Sequence, residues 1–206
     1  MSAVGYSLGY ITGLPDRIKS DRAEAITLLK KGKVGVLGTD TIYGLVGSAL
    51  NPQVVERIYR LRYRNFRKPM IVLIGALADL DFFKIKLAEK ERNLLVKIWP
   101  GKISVILPCL SDKFEYLHRG TETLAFRIPE RPMLADVLKK TGPLTAPSAN
   151  PEGRPPAYTI EEAKKYFGDE VDFYLDAGRL DGFPSTLVAL ENGKMLIKRA
   201  GAVVLE

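Results

Sequence analysis

Three short stretches of the chain gather residues that could do chemistry. The densest runs from Arg57 to Lys68, where six basic residues (Arg57, Arg60, Arg62, Arg64, Arg67 and Lys68) occur without an acid and are interleaved with Tyr59, Tyr63 and Phe66. Arginine forks match phosphate oxygens in pairs and a lysine adds a mobile point charge, so the stretch suits a polyphosphate or a nucleic-acid backbone. It equally suits a solvated basic helix end whose cations favour the C-terminal dipole. The second stretch, Thr39-Asp40-Thr41-Ile42-Tyr43-Gly44-Leu45, is a hydroxyl-rich turn between two apolar runs. It can offer hydroxyls and amides to a small ligand, or simply join two strands. The third, Thr145-Ala146-Pro147-Ser148-Ala149-Asn150 followed by Gly153-Arg154-Pro155-Pro156, breaks a strand into a stiff polar loop that is either a ligand frame or a turn. Arg127 and Arg199 each end an apolar strand, and a charge there is either salt-bridged or aimed at an anionic ligand.

The signatures that are missing narrow the chemistry. The chain has no G-x-x-x-x-G-K-[ST], no G-x-G-x-x-G, no C-x-x-C and no G-x-S-x-G. Gly101-Lys102-Ile103-Ser104 looks like the tail of a phosphate loop but lacks its first glycine and follows a helix rather than a strand. With one cysteine, Cys109, and one histidine, His118, there is no His-rich metal site and little material for a nucleophilic triad. Neither residue has the usual catalytic partners nearby in sequence. An enzyme built from this chain works by positioning and charge stabilisation, through arginines, lysines and hydroxyls, with a magnesium ion brought in on a nucleotide.

These stretches need a frame, and the sequence outlines one. Asp21 and Glu24 predict a capped helix to Lys31, closed at Gly32. Val34–Leu37 and Ile42–Val46 read as strands on either side of the hydroxyl turn. Asn51-Pro52 starts a helix with Val54, Val55, Ile58, Tyr59 and Leu61 on its apolar side. Met70–Ile74, Ile103–Leu107, Leu124–Ile128 and Leu144–Ala146 read as strands. Leu87–Trp99 and Pro132–Lys140 read as helices, and Thr159 caps another through Phe167. Phe173–Leu175, Thr186–Leu190 and Met195–Lys198 are three closing strands. Five or so helices among strands of both continuous and alternating pattern predict a mixed sheet in an α/β domain bordering on α+β.

At 206 residues the chain suits one compact domain, with no repeat or long linker to divide it. Apolar residues make up 46% and charged residues 27%, which excludes a disordered chain. The longest uncharged apolar stretch, Met70–Ala78, is too short to cross a bilayer, and no secretory signal is visible. A lone cysteine suits a reducing cytosol, so a cytoplasmic globular protein is expected. The 31 basic against 24 acidic residues give a net charge of +7, which favours anionic partners.

Taken jointly, these segments resemble the YrdC-like family of threonylcarbamoyl-AMP synthases. The matching pieces are Thr39–Leu45, then Ile58-Tyr59-Arg60-Leu61-Arg62-Tyr63-Arg64 with Lys68-Pro69, and Trp99-Pro100-Gly101. Phe126-Arg127-Ile128-Pro129, Ala146–Asn150, Pro184-Ser185-Thr186-Leu187-Val188 and Lys198-Arg199-Ala200-Gly201 follow in the family's order. The resemblance covers roughly Asp21 to Val203. It implies an open twisted sheet around a basic concave groove, with residues 21–206 as a short single-domain catalytic unit and residues 1–20 as an extension of unassigned role. It also implies synthesis of threonylcarbamoyl-AMP and pyrophosphate from L-threonine, bicarbonate and ATP, a nucleotidyl transfer serving an adenosine modification of tRNA. Arg62, Arg64, Lys68, Ser148 and Asn150 become the implied catalytic set. Thr41, Arg127, Ala146 and Ser185 are the implied threonine contacts. Arg64, Lys68, Thr123, Ser148, Asn150 and Arg199 are the implied ATP contacts. Mg²⁺ would arrive with ATP, with no dedicated protein cage, and a downstream threonylcarbamoyl-transferase complex would take the product.

Four positions depart from the family's habit. Arg62-Tyr63-Arg64 replaces Lys-x-Arg, Asn65 stands where proline is common, Leu73 stands where some members carry a histidine, and Gly38 replaces a proline. Two other uses of the same residues stay open at this level. One is a binding module whose basic groove holds double-stranded RNA or tRNA; the other is a paralogue of the same fold without the synthase reaction.

Overall fold

The computed structural model describes residues 21–191 and 194–205; the expected extension, residues 1–20, lies outside the described residues. The chain runs through α1 (Arg22–Lys30), β1 (Gly35–Gly38), β2 (Tyr43–Ser48), α2 (Pro52–Leu61), β3 (Ile71–Leu73) and α3 (Glu89–Ile98). It continues with β4 (Ile103–Pro108), α4 (Glu115–His118), β5 (Thr123–Arg127), α5 (Pro132–Thr141) and β6 (Leu144–Thr145). It closes with α6 (Ile160–Phe167), β7 (Phe173–Leu175), β8 (Thr186–Glu191) and β9 (Lys194–Arg199).

Local chemistry sets the helix starts. The Asp21 carboxylate accepts from the Glu24 amide at 2.7 Å. The Asn51 side chain accepts from the Gln53 and Val54 amides ahead of Pro52. The Thr159 hydroxyl accepts from the Glu162 amide. Each cap satisfies an otherwise orphaned amide of a first turn. Sequence patterning misses α4 and a 3-10 segment at Leu77–Phe83, both too short to show a helical period.

All nine strands form one sheet in the order β7-β1-β2-β6-β3-β5-β4-β8-β9. The pairs β1–β7, β3–β5 and β4–β8 are parallel, and the rest are antiparallel. The expected mixed sheet is therefore present. Its two faces differ. Val72, Val105, Leu107, Leu124, Phe126 and Val188 point to the face covered by α2, α3, α4 and α6, in the larger core. The other face is covered only in part. Leu37, Val46, Leu73 and Leu144 pack there with Ile26 and Leu29 of α1 and Leu134, Val137 and Leu138 of α5 in a smaller core. Beyond that cover, the alternate residues of the same face are Ile71, Thr123, Ala125, Arg127, Ser104 and Leu187, of which Ile71 and Arg127 line a cavity in a groove on this face.

Candidate active site

The groove narrows to a cavity of about 90 Å³ at the end of β5. Thr39 and Thr41 of the β1–β2 turn line one side, and Ile71, Arg127, Ala146 and Ser148 line the floor and back. Pro184, Ser185 and Arg199 form the remaining wall. Six of the residues expected to touch substrates (Thr41, Arg127, Ala146, Ser148, Ser185 and Arg199) thus meet at one cavity, although they lie on five separate segments. At well under the ~300 Å³ of a typical ligand pocket, it suits a small reactant.

Short-range polarity shapes the turn. The Thr39 hydroxyl donates to the Ile42 carbonyl at 2.7 Å, accepts from the Thr41 amide at 3.1 Å, and shares a hydrogen bond with the Thr41 hydroxyl at 3.0 Å. Arg127 enters from β5 and pairs with Asp40, both side chains nearly sealed from solvent. Of the alternatives for Arg127, the salt bridge is present; the residue also lines the cavity, and its buried Nε has no hydrogen-bond partner. Ser185 shares a hydrogen bond with Ser104 at 2.8 Å. Arg199 donates to the Ser185 carbonyl at 2.8 Å, and among the described residues no carboxylate pairs with it. Burial, then the nearby Arg64 charge, lowers its pKa.

Two glycines let this wall close. A side chain at Gly201 would run into the Pro184 and Ser185 backbone, and one at Gly182 would run into the Thr41 carbonyl. Only bare backbone allows these approaches.

The basic stretch divides once folded. Arg57 turns away to pair with Asp172, while Arg60 and Arg67 are exposed. Arg62, 4% exposed, points inward. Its Nε donates to the Asn150 carbonyl at 2.9 Å, and its Nη2 donates to Ser148 Oγ at 3.1 Å and to Asn150 Oδ1 at 3.4 Å. Burial, then the Arg64 charge, lowers its pKa to about 10, against the pull of Glu152. Asn150 is turned into its own loop, its amide donating to the Pro151 and Arg154 carbonyls. Arg62 and Asn150 therefore shape the loop that presents Ser148. Arg64 donates to the Pro69 carbonyl at 2.8 Å and keeps a buried Nε without a partner. Lys68 meets Glu152.

Thr123 lies off the cavity. It shares the floor with Arg127 four residues along β5, about 13 Å away, and the parallel register with β3 carries it toward Pro69 and hence Arg64. Leu73 is buried under α5, outside the cavity lining. His118 is buried, accepting from the Gly120 amide, and Cys109 is buried in the larger core. Among the described residues no cluster of His, Cys, Asp or Glu gathers as a metal cage. Nor is any helix among them long and apolar enough to cross a membrane.

Sequence reasoning gave no separate role to Asp40, Ser104 or Glu152. A signal existed for Asp40, since a lone carboxylate between two apolar runs is buried only with a cation. Ser104 and Glu152 carried none.

An open mixed sheet with a cavity lined by arginines and hydroxyls on its less covered face defines an open-sheet α/β fold. A family profile described as telomere recombination, Sua5/YciO/YrdC, matches residues 27–201, and the chain belongs to that family. The threonylcarbamoyl-AMP synthase of Pseudomonas aeruginosa is 31% identical over 182 residues, covering 87% of this chain and 98% of the relative. That of Bacillus subtilis is 30% identical over 187 residues, covering 89% of this chain and 54% of the relative. The chain thus spans about half the length of that curated relative. The structure of Pyrococcus abyssi Sua5 complexed with L-threonine superposes with a TM-score of 0.80 at 27% identity, covering 87% of this chain and 53% of that one.

Proposed function

We propose that this protein is an L-threonylcarbamoyladenylate synthase, a nucleotidyltransferase that consumes L-threonine, bicarbonate and ATP and releases pyrophosphate. The observation that carries it is the meeting of Thr41, Arg127, Ala146, Ser148, Ser185 and Arg199 at one small cavity. The names of the relatives and the threonine bound in the Pyrococcus structure support the same activity.

The residues divide the work by charge. Arg127 receives the threonine carboxylate with its unpartnered Nε edge, and Thr41, Ser185 and the Ala146 backbone hold the small polar remainder. The carbamate forms when the threonine amine attacks the bicarbonate carbon and the carbon–hydroxyl bond breaks, the hydroxyl leaving with an amine proton as water; a carbamate oxygen then attacks the α-phosphorus as the bond to pyrophosphate breaks. No protein nucleophile is needed. What must be stabilised is phosphate charge, a task for Arg64, Arg199 and Lys68, with Ser148 at the junction. Arg62 and Asn150 hold Ser148 in place, and the nucleotide extends toward Thr123. Mg²⁺ enters as part of the nucleotide substrate in this reading. A downstream threonylcarbamoyl transferase acting on tRNA, in the cytoplasm, follows from the same reading.

The test is pyrophosphate release from ATP by purified protein, with and without L-threonine and with and without added bicarbonate. Release that requires both is expected. Release indifferent to threonine, or none above background, would remove the proposal.

A further inference from the structure

The Glu152 carboxylate sits on the donors that the synthase reading gives to the nucleotide. One oxygen accepts from Lys68 Nζ, and the other accepts from the Asn65 backbone amide at 2.6 Å. Its own amide donates to the Arg62 carbonyl at 2.7 Å. One residue thus ties the loop after α2 to the loop after β6. The Lys68 hydrogen bond first, and the Asn65 amide second, hold its carboxyl below the usual carboxylate range, so it is an anion at neutral pH.

This pair differs in kind from Arg127–Asp40. The Lys68 and Glu152 side chains are 56% and 25% exposed, so they can part without stranding a bare charge in the interior. An ammonium and a backbone amide converging on two oxygens of one anion are also the donors a phosphoryl group takes. Arg64, whose charge acts on the Glu152 carboxyl, completes the cationic side of the seat.

Resting on the synthase reading for the identity of the incoming anion, we propose that Glu152 is a resident competitor for the phosphate seat. Its carboxylate fills the seat at Lys68 and the Asn65 amide until a phosphoryl group displaces it, and it returns when pyrophosphate departs. ATP and pyrophosphate therefore bind more weakly, and pyrophosphate leaves faster, than the cations alone would dictate.

The experiment is calorimetric titration of inorganic pyrophosphate and of ATP into wild-type protein and into Glu152→Gln, which keeps an acceptor for the Asn65 amide and removes the charge. Glu152→Ala is measured beside it, so that a folding defect in one variant leaves the other readable. Pyrophosphate and ATP are expected to bind about two- to fivefold tighter, the range open to an exposed ion pair. L-threonine affinity should not change. Unchanged binding in both variants overturns the proposal. Weaker binding also overturns it, by making Glu152 a positioning residue for Lys68. The titration needs no turnover, so its sign is read even if wild-type protein fails the threonine-dependent release assay that tests the synthase reading.

Discussion

Arg127 and Asp40 lie 87 residues apart in the chain and form an ion pair whose side chains are only 5% and 3% exposed. Asp40 also accepts from the Glu130 amide at 3.2 Å, so it fixes the end of β5 as well as the guanidinium there. The cavity wall at Thr39–Thr41 and the cavity floor at Arg127 are therefore one braced unit. Arg131 reinforces it by donating to the Thr39 carbonyl at 3.0 Å.

Removing the charge of Asp40 leaves Arg127 buried without a counter-ion. Asp40→Asn is expected to destabilise the fold by about 3–5 kcal/mol, the usual cost of breaking a buried pair from one side. Chemical denaturation measures this. In protein that stays folded, KM for threonine should rise at least tenfold while KM for ATP moves little. An equal rise for both substrates would contradict the division of the groove into two ends.

Arg62→Lys tests whether the arginine fork is used. A single ammonium cannot meet the Asn150 carbonyl, Asn150 Oδ1 and Ser148 Oγ together as the guanidinium does. Loss of about 1.5–3 kcal/mol of stability is expected, the scale of a charged hydrogen bond. The catalytic rate should fall with it. A gain in turnover would show that the lysine common in the family suits this loop better.

Asp172 governs acid stability at the other end of the molecule. Burial raises its pKa, but hydrogen bonds from the Val34 amide and Arg57, with the charges of Arg57 and Lys33, outweigh burial and lower it. A carboxylate whose folded pKa is depressed stabilises the fold above its unfolded value of about 3.9, and this is lost as pH falls through the lower folded value. Asp172→Asn should therefore be less stable than wild type at pH 7, with the gap narrowing as pH falls below the unfolded carboxyl value and through the lower folded one. Urea denaturation across a pH series checks it, and a constant gap would assign the effect to lost hydrogen bonding alone.

Gly201→Ala places a methyl against the Pro184 and Ser185 backbone. Expected is a loss of about 1–3 kcal/mol from overpacking and weaker threonine binding, because Ser185 is displaced. Thermal melts and threonine titration read the two effects separately. Intact threonine binding would mean that the wall at Ser185 yields without consequence.

Some of this was legible before folding because the physics is local. Caps at Asp21, Asn51 and Thr159 act within three residues of themselves, so their helices could be placed to within a residue or two. Strands Phe173–Leu175 and Thr186–Leu190 were visible as short apolar runs. The hydroxyl turn, the basic stretch and the Ser148–Asn150 loop stood out by composition, and their order carried the family resemblance.

What the linear chain could not show is which of those residues face one another. Strand β6 sits between β2 and β3, β8 lies beside β4, and no local preference encodes that order. Helix α2 sends Arg57 toward Asp172 while Arg62, five residues on, meets a loop 88 residues away; the basic run thus separates into a structural ion pair, a loop clamp and the exposed Lys68–Glu152 pair. Composition alone favoured anionic partners and left little material for a nucleophilic cysteine or histidine triad. Only the tertiary structure decided that Asp40 neutralises Arg127 and that Glu152 occupies Lys68, because sheet register and helix facing, set by burial of the two cores, bring those charges together.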